Sequence, residues 1–475
     1  MRPFEVIFTG LLLVAAVLLL AGGARLRWPL YADFAALVLA LVAHAIWEGA
    51  HWQMAPAYLA AAVLAGFLLF RMPAEGCRVS AWAILAGVLM ACCFSAVLPM
   101  FRLPEPTGSS AIGTRILSLV DTSRVEDPNL APDRKRELLI QIWYPAQSSS
   151  NPRAPYRRRE ETTLLSSYQS VLWTHARWNA PVAATDHPYP VILFNPGWTG
   201  RRTSDTYLAE DLASHGYVVV GIDHPYNTGP IAFPDGRVLR PQSPGSMDFD
   251  TRTIAQIRAV GDAEMTRQTA DTLFVLDQLQ ATAEDPKSPF YRLLDTNDAG
   301  AMGFSFGGSV GAQACALDPR IRSALDLDGS LFGQVQQTGV SKPFMFLQED
   351  PTDLPADRSG LSNGQRVDAA LDDGDNEMFA KSGGYRVYFH GSRHESFTDA
   401  AIFSPWRRFS AAGRIPPRRQ FQIVRAYALA FFDQTLKGHP SELLARKDSP
   451  FPEVTFTSAL PSAQSVASAP AAVQP

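Results

Sequence analysis

The sequence predicts a doubly wound, mostly parallel α/β sheet preceded by four transmembrane helices, and three observations carry that prediction. The first 101 residues hold four long apolar runs with only five Lys/Arg and four Asp/Glu among them. Downstream, strand-like runs alternate with helical ones, the pattern of a parallel sheet with its site at the C-terminal strand edge. Between one such strand and helix lies Gly303-Phe304-Ser305-Phe306-Gly307-Gly308.

The apolar runs extend from Val6 to Ala21, Tyr31 to Trp47, Ala57 to Phe70 and Ala81 to Pro99. Each is near the lower limit of about 17 residues for a membrane span. A cleaved signal peptide ending at Ala21-Gly22-Gly23-Ala24 accounts for the first run and leaves the other three unexplained. The runs are apolar all round, and Trp47, Trp52, Tyr58 and Trp82 gather at their ends as interfacial aromatics do. Arg25, Arg27, Arg71 and Arg78 flank the loops after spans one and three, whereas the loop between spans two and three has no Lys or Arg. The positive-inside rule then places everything after span four outside the cytoplasm, at the cell membrane. His44, inside a span, reads as an imidazole hydrogen-bonded within the bundle.

The expected layout is four helices over 1–101, a connector over 102–112, and a catalytic domain over 113–440. A largely disordered C-terminal extension follows over 441–475. The connector, Leu103-Pro104-Glu105-Pro106-Thr107-Gly108, is short and stiff at about 3 Å per residue. Gly113 to Val120 and Glu137 to Tyr144 alternate as an antiparallel pair. Val191 to Phe194 and Tyr217 to Ile222 read as buried strands around an amphipathic helix from Ser204 to His215. A long helix covers Thr253 to Gln280, strands precede Asp328, Gln348 and His390, and a closing helix runs from Gln420 to Leu436. Insertions near 153–182 and 227–250 break the alternation and are expected to act as lids or binding loops. The first carries Arg157-Arg158-Arg159, read as a solvated charge cluster with anionic phospholipid headgroups as the sharper alternative.

G-x-S-x-G between a strand and a helix is a nucleophile elbow, with glycines on either side because the turn is too tight for a Cβ. Ser305 then sits at a helix N-terminus, where the dipole favours developing negative charge. A serine of this kind needs an acid and a base in the chain order Ser, Asp, His. Asp328 ends the apolar run Ala324-Leu325-Asp326-Leu327, and His394 lies in the loop His390-Gly391-Ser392-Arg393-His394-Glu395. Rival acids are Asp350 or Glu349 after the next strand, and Asp326 two residues deeper. His390 is the rival base, and His215 and His224 read as structural. The oxyanion donors expected are the backbone N–H of Phe306 and, in Asn195-Pro196-Gly197-Trp198, that of Trp198, because Pro196 has none.

Gly303 to Gly308, Asp328, Gly391-Ser392-Arg393-His394 with Phe397 and Asp399, and Leu212-Ala213-Ser214-His215-Gly216-Tyr217 together resemble the platelet-activating factor acetylhydrolase family, the group VII phospholipase A2 type. The resemblance extends over about residues 113 to 437. It implies an α/β-hydrolase fold and a calcium-independent esterase that removes short or oxidised acyl chains from phospholipids, with Ser305 as nucleophile, His394 as base and Asp328 as acid. Phe304 stands where the family usually has histidine, and Asn195-Pro196-Gly197 replaces a Ser-His-Gly oxyanion loop.

The four cysteines have neither metal-ligand spacing nor a partner for a disulfide within the catalytic portion, and neither a metal nor another cofactor is expected. With a formal net charge of −4 and no basic tract at the site, nucleic acid is not an expected partner. A lipid or small ester is. Polyester or small-ester (dienelactone hydrolase-like) hydrolysis, acyl transfer and non-catalytic tethered binding remain as alternatives, because hydrolase and transferase share the acyl-enzyme. Trp198 and the 153–182 insertion, with Leu164, Leu165, Leu172 and Trp173, predict a short acyl pocket and a preference for acetyl to butyryl esters. Oligomeric state is not legible.

Overall fold

Ala, Leu and Val dominate the first hundred residues, and such sequences satisfy their backbone hydrogen bonds most simply within helices. A computed structural model describes residues 1–70, 73–126, 133–242, 247–350, 358–406 and 411–459. The helices are α1 (Pro3–Ala21), α2 (Arg27–Ala43), α3 (Ala55–Leu69) and α4 (Ala74–Val97). A single π-type turn, His44–Glu48, extends α2, with the Gly49 N–H donating to the His44 carbonyl at 2.9 Å. Four segments, Pro3–Ala21, Arg27–Glu48, Trp52–Leu69 and Gly76–Val97, are long and apolar enough to cross a membrane. Their inner stripes pack Phe8, Leu12, Leu37, Leu64 and Ile84 together, while Val17, Leu39 and Leu59 face outward. A helix that is apolar on both faces fits either the core of a large protein or a membrane span. Small residues bring α3 and α4 close: a Cβ on Gly87 would meet the Pro56 carbonyl at 2.6 Å and Ala60 Cβ at 3.0 Å.

The chain forms two compact units. The first comprises Met1–Arg102, Pro155–Thr174 and Ala400–Ser410; the second comprises Leu103–Ala154, His175–Asp399 and Ala411–Pro475. The insertion expected at the mouth of the sheet therefore joins the apolar helices for most of its length. Its aromatic residues explain why. Phe101 packs edge-on against Tyr156 and Tyr168 and stacks on Phe403, the Trp52 indole donates to the Leu165 carbonyl at 3.0 Å, and Val171 lies against Gly49.

In the second unit the sheet is mixed but mostly parallel. Its strands are β1 (Ala111–Val125), β2 (Lys135–Ala146), β3 (Arg153–Pro155), β4 (Trp173–Trp178), β5 (Tyr189–Asn195) and β6 (Val218–Asp223), then, past the small hairpin β7 (Ile231–Ala232) and β8 (Val238–Leu239), β9 (Leu294–Phe304), β10 (Ile321–Leu327), β11 (Phe344–Glu349), β12 (Gly384–Phe389) and β13 (Val454–Ala459). The order is β13-β12-β11-β10-β9-β5-β6-β2-β1-β4-β3, with the run from β12 to β6 parallel throughout. Those central strands are buried on both faces, and their Val, Ile, Leu and Phe side chains form the main core. The covering helices are α5 (Thr206–Ser214), α6 (Ile254–Glu284), α7 (Phe306–Leu317), α8 (Gly333–Thr338), α9 (Asn363–Ser382), α10 (Pro417–Leu436) and α11 (Glu442–Ala445). Thr253 and Ser362 cap α6 and α9 with reciprocal Gln256 and Gln365 contacts.

Within the expected extension over 441–475 the structure places β13. Val454 and Phe456 point inward and Thr455 and Thr457 outward, so a six-residue alternation closes the sheet edge antiparallel to β12. Residues 460–475 lie outside the described residues.

Candidate active site

Parallel strands deliver their C-terminal ends to one edge, and five of the expected residues come from that edge: Ser305 after β9, Asp328 after β10, Glu349 at the end of β11 with Asp350 following it, and His394 beyond β12. The elbow itself is dense. A Cβ on Gly303 would run into Gly307, one on Gly307 into the Asn195 carbonyl, and one on Gly308 into the Asp326 carboxyl. Ser305 is held at φ 54°, ψ −128°, outside the ordinary regions for a residue with a side chain. Its N–H donates to the Leu327 carbonyl at 2.8 Å, so the neighbouring strand holds the strained turn in place.

His394 Nε2 lies 3.0 Å from Ser305 Oγ, and its Nδ1 lies 2.7 Å from Asp328 Oδ2. The other Asp328 oxygen accepts from the Glu349 N–H at 2.6 Å, which fixes the carboxylate plane. Asp328 also has a positive φ, 57°. The Phe304 ring packs against the His394 imidazole, 4.6 Å between ring centres. Surrounding protein disfavours charge on that imidazole, but the Asp328 hydrogen bond and charge, with Glu395 and Glu349 further out, outweigh it and raise its pKa above 6.5.

The rivals fall elsewhere. Asp350 Oδ2 is 3.4 Å from His390 Nδ1, and His390 Nε2 is 2.7 Å from Thr455 Oγ1 on β13. Asp326 is fully buried beneath the elbow, accepts from the Gly329 N–H at 2.7 Å, and has a pKa raised well above the usual range by burial and by the charges of Asp375 and Asp328. His215 meets Thr107 Oγ1 at 2.8 Å at the end of α5. His224 is buried between Asp271 Oδ2 at 2.9 Å and Asn195 Oδ1 at 3.2 Å. Burial opposes charge on Asp271, yet the buried Arg136 guanidinium holds its carboxyl well below the usual range. That chain ends on Asn195, which also accepts from Thr272 Oγ1 at 2.7 Å. It anchors the start of the loop that carries Trp198.

Gly197 in this loop passes so close to the elbow that a Cβ there would stand 3.0 Å from Ser305 Cβ. Thr199, at φ 56°, donates its N–H to Asn227 Oδ1 at 2.9 Å. Trp198 meets Phe306 edge-on at 5.2 Å, and both line a cavity of about 500 Å3 with Ser305 and His394. Its apolar side is completed by Met247, Phe249, Phe332 and Leu371. The 227–250 insertion thus contributes to the cavity lining, whereas Leu164, Leu165, Leu172 and Trp173 of the other insertion do not. The opposite side is acidic. Asp368, Asp372 and Asp375 recur on one face of α9, beside Glu349 and Asp350. Burial and mutual repulsion push Asp372 up to about 6 and Asp375 up to about 8.

The model of the family described as platelet-activating factor acetylhydrolase, isoform II, matches residues 133–233 and 288–442, more than half of the chain and including the elbow, Asp328 and His394. The chain belongs to the platelet-activating factor acetylhydrolase family. A probable 1-alkyl-2-acetylglycerophosphocholine esterase of Arthroderma benhamiae is 26% identical over 397 residues, covering 76% of this chain and 95% of that protein. The platelet-activating factor acetylhydrolase of Canis lupus familiaris is 23% identical over 322 residues, 60% of this chain and 67% of its own length. Among solved structures, a ferulic acid esterase from Streptomyces cinnamoneus superposes with a TM-score of 0.60 at 30% identity, covering 75% of this chain and 98% of that one. The chain is accordingly an esterase. The matched family segments begin after α1–α4 and omit residues 234–287, so Met247, Phe249 and α6 lie outside them.

The acidic wall went unread in the sequence. Asp368, Asp372 and Asp375 have the spacing of a helix face, and charge on a helix face is ordinarily solvated. A signal was present in Val367 and Leu371, which interleave with the acids and make the face half apolar.

Proposed function

We propose that this protein is a membrane-anchored serine esterase that cleaves short acyl esters, phospholipid esters among them, through a covalent acyl-enzyme. The observation that carries the proposal is the unbroken hydrogen-bonded chain from Ser305 through His394 to Asp328 at the wall of the cavity. Ser305 Oγ attacks the ester carbonyl carbon while His394 Nε2 takes its proton. Asp328 holds the Nδ1–H tautomer and stabilises the imidazolium. The N–H groups of Trp198 and Phe306 receive the oxyanion, aided by the N-terminus of α7. The alcohol leaves with the proton from His394; water, deprotonated by the same nitrogen, then attacks the acyl carbon, releasing the carboxylic acid and restoring Ser305.

The acidic face of α9 suits a neutral or cationic alcohol part, such as a choline ester, and repels the carboxylate product. Trp198 beside the loop limits the acyl side. The four apolar helices support anchoring in the cell membrane, and the distribution of Arg25, Arg27, Arg71 and Arg78 supports an extracytoplasmic catalytic unit. A fluorophosphonate probe should label Ser305, and purified protein should hydrolyse acetyl and butyryl phospholipid esters faster than palmitoyl ones. Labelling that persists in Ser305→Ala, or an optimum at long chains, rejects the reading. Protease protection of residues 113–459 in sealed, right-side-out cells would reject the orientation alone.

A further inference from the structure

Four ionisable side chains meet far along the chain from the ester site, at one end of the apolar helices. Glu5 comes from the first turn of α1, His44 and Glu48 from the π-type turn after α2, and His51 from the link into α3. Donor atoms of Glu5, His44 and Glu48 all lie within 4.8 Å of one another. His44 Nδ1 is 2.9 Å from Glu48 Oε2, and His51 Nε2 is 3.0 Å from Glu5 Oε1. Glu5, His44 and His51 are buried.

Each imidazole presents one nitrogen to the carboxylates and the other to an outer oxygen. His44 Nε2 is 2.7 Å from the Tyr58 hydroxyl, and His51 Nδ1 is 2.9 Å from Gln53 Oε1. The Gln53 amide nitrogen donates to the Leu98 carbonyl at 3.2 Å, so it is the acceptor end of that amide that meets His51. His51 Nδ1 must therefore carry a proton. The contact of His51 Nε2 with Glu5 Oε1 at 3.0 Å then needs either a proton on Nε2 or a metal ion beside it.

We propose that this cluster binds one divalent transition-metal ion of the zinc type, with Glu5, His44 and Glu48 as ligands and His51 holding Glu5 from outside. One imidazole nitrogen with two carboxylate oxygens is a donor set that zinc takes; calcium and magnesium take oxygen throughout. The Tyr58 hydroxyl orients the His44 ring, as the second partner of a metal-bound histidine does. Bonds of about 2.0–2.2 Å put ligand atoms about 3.4 Å apart, so the 2.9 Å contact would open by a few tenths of an ångström while the wider separations, within 4.8 Å, would close. π-type turns are rare and occur often at functional sites, and this one sets His44 and Glu48 side by side. Arg2 Nε donates to Glu5 Oε1 at 2.6 Å and its guanidinium reaches the Glu48 and Gly49 carbonyls, offsetting one carboxylate charge. The Phe4 N–H takes Glu48 Oε1 at 2.9 Å and leaves Oε2 for the ion. Three protein ligands leave a fourth position for water, and the ion would tie the end of α1 to the turn after α2.

The test is metal content of the full-length protein in detergent, purified without chelators, followed by stripping and titration with Co2+. About one equivalent of zinc and the intense visible bands of four-coordinate Co2+ are expected in the wild type, and both are lost in Glu5→Gln and in His44→Ala. Hydrolysis of a soluble acetyl ester reports that each preparation is folded. Should the variants fail to fold, the Co2+ titration of the wild type decides alone. An active wild type without those bands and without bound zinc overturns the proposal and leaves an imidazolium–carboxylate pair at His51 and Glu5.

Discussion

Two imidazole–carboxylate pairs stand at the same edge of the sheet, four residues apart on the loop after β12, and only one of them reaches a serine. His394 meets Asp328 at 2.7 Å and Ser305 at 3.0 Å; His390 meets Asp350 at 3.4 Å and Thr455 at 2.7 Å. Both have an acid on one nitrogen. The second nitrogen decides the role, because only a base whose free nitrogen faces a nucleophile moves a proton to any purpose. Gly391, at φ 80°, turns the chain between them and carries His394 back over β9 and β10, while His390 stays with the edge strand.

The sharpest way to break this comparison is to remove each ring. His394→Ala should lower kcat by up to about 10⁶, the loss seen when a triad member is deleted, whereas His390→Ala should stay within about tenfold of wild type. Comparable losses would mean that the loop rearranges to bring His390 to Ser305. The acids come next in magnitude. Asp328→Asn should cost about 10⁴ in kcat through the wrong imidazole tautomer, and Asp350→Asn far less; the reverse ranking would move the acid to the end of β11.

Both acids were visible in the sequence because strand, turn and helix patterns are local and the chain order Ser, Asp, His restricts the acid to the stretch between elbow and base. Asp328 was distinguishable from Asp350 only through the family pattern, since each simply ends an apolar run. Other features depend on contacts between distant segments. Nothing near Val454 announces that it pairs with Phe389, and a short alternation beside an Ala/Pro-rich tail reads as extension. The segment from Pro155 to Thr174 looked like a lid because its leucines are apolar, but Phe101, Trp52 and Phe403, its partners, are far away in the chain. His44 looked solitary for the same reason: Glu5 and His51 meet it only once three helices are side by side.

A subtler contrast between the pairs lies in titration. As the proposed base, His394 must be neutral, and Asp328 with its acidic neighbours favours the charged ring, so the acid limb of kcat/KM on a soluble ester should have its midpoint above 6.5. Activity is lost as pH falls through that midpoint. Removing the Glu349 charge in Glu349→Gln should move the midpoint down; a move upward would show that Glu349 does not act on His394 through charge. The smallest expected effect belongs to the acidic wall. Asp372→Asn should raise KM for a choline ester by up to about fivefold relative to its uncharged isostere, as partly exposed charge pairs contribute about 0.2–1 kcal/mol. Equal KM ratios would mean that the alcohol part leaves α9 untouched.

The strand that closes the sheet is also among the last segments of the second unit to be made. β12, from which the loop to His394 departs, has a bare edge until Val454–Ala459 has emerged from the ribosome, more than 350 residues after α4. At synthesis rates of about 5–20 residues per second, the nascent chain spends on the order of half a minute with its apolar helices complete and its hydrolytic apparatus unfinished. During biogenesis, then, the apolar helices precede the enzyme: a chain that stalls before residue 454 exposes an open sheet edge and lacks the strand that shelters it.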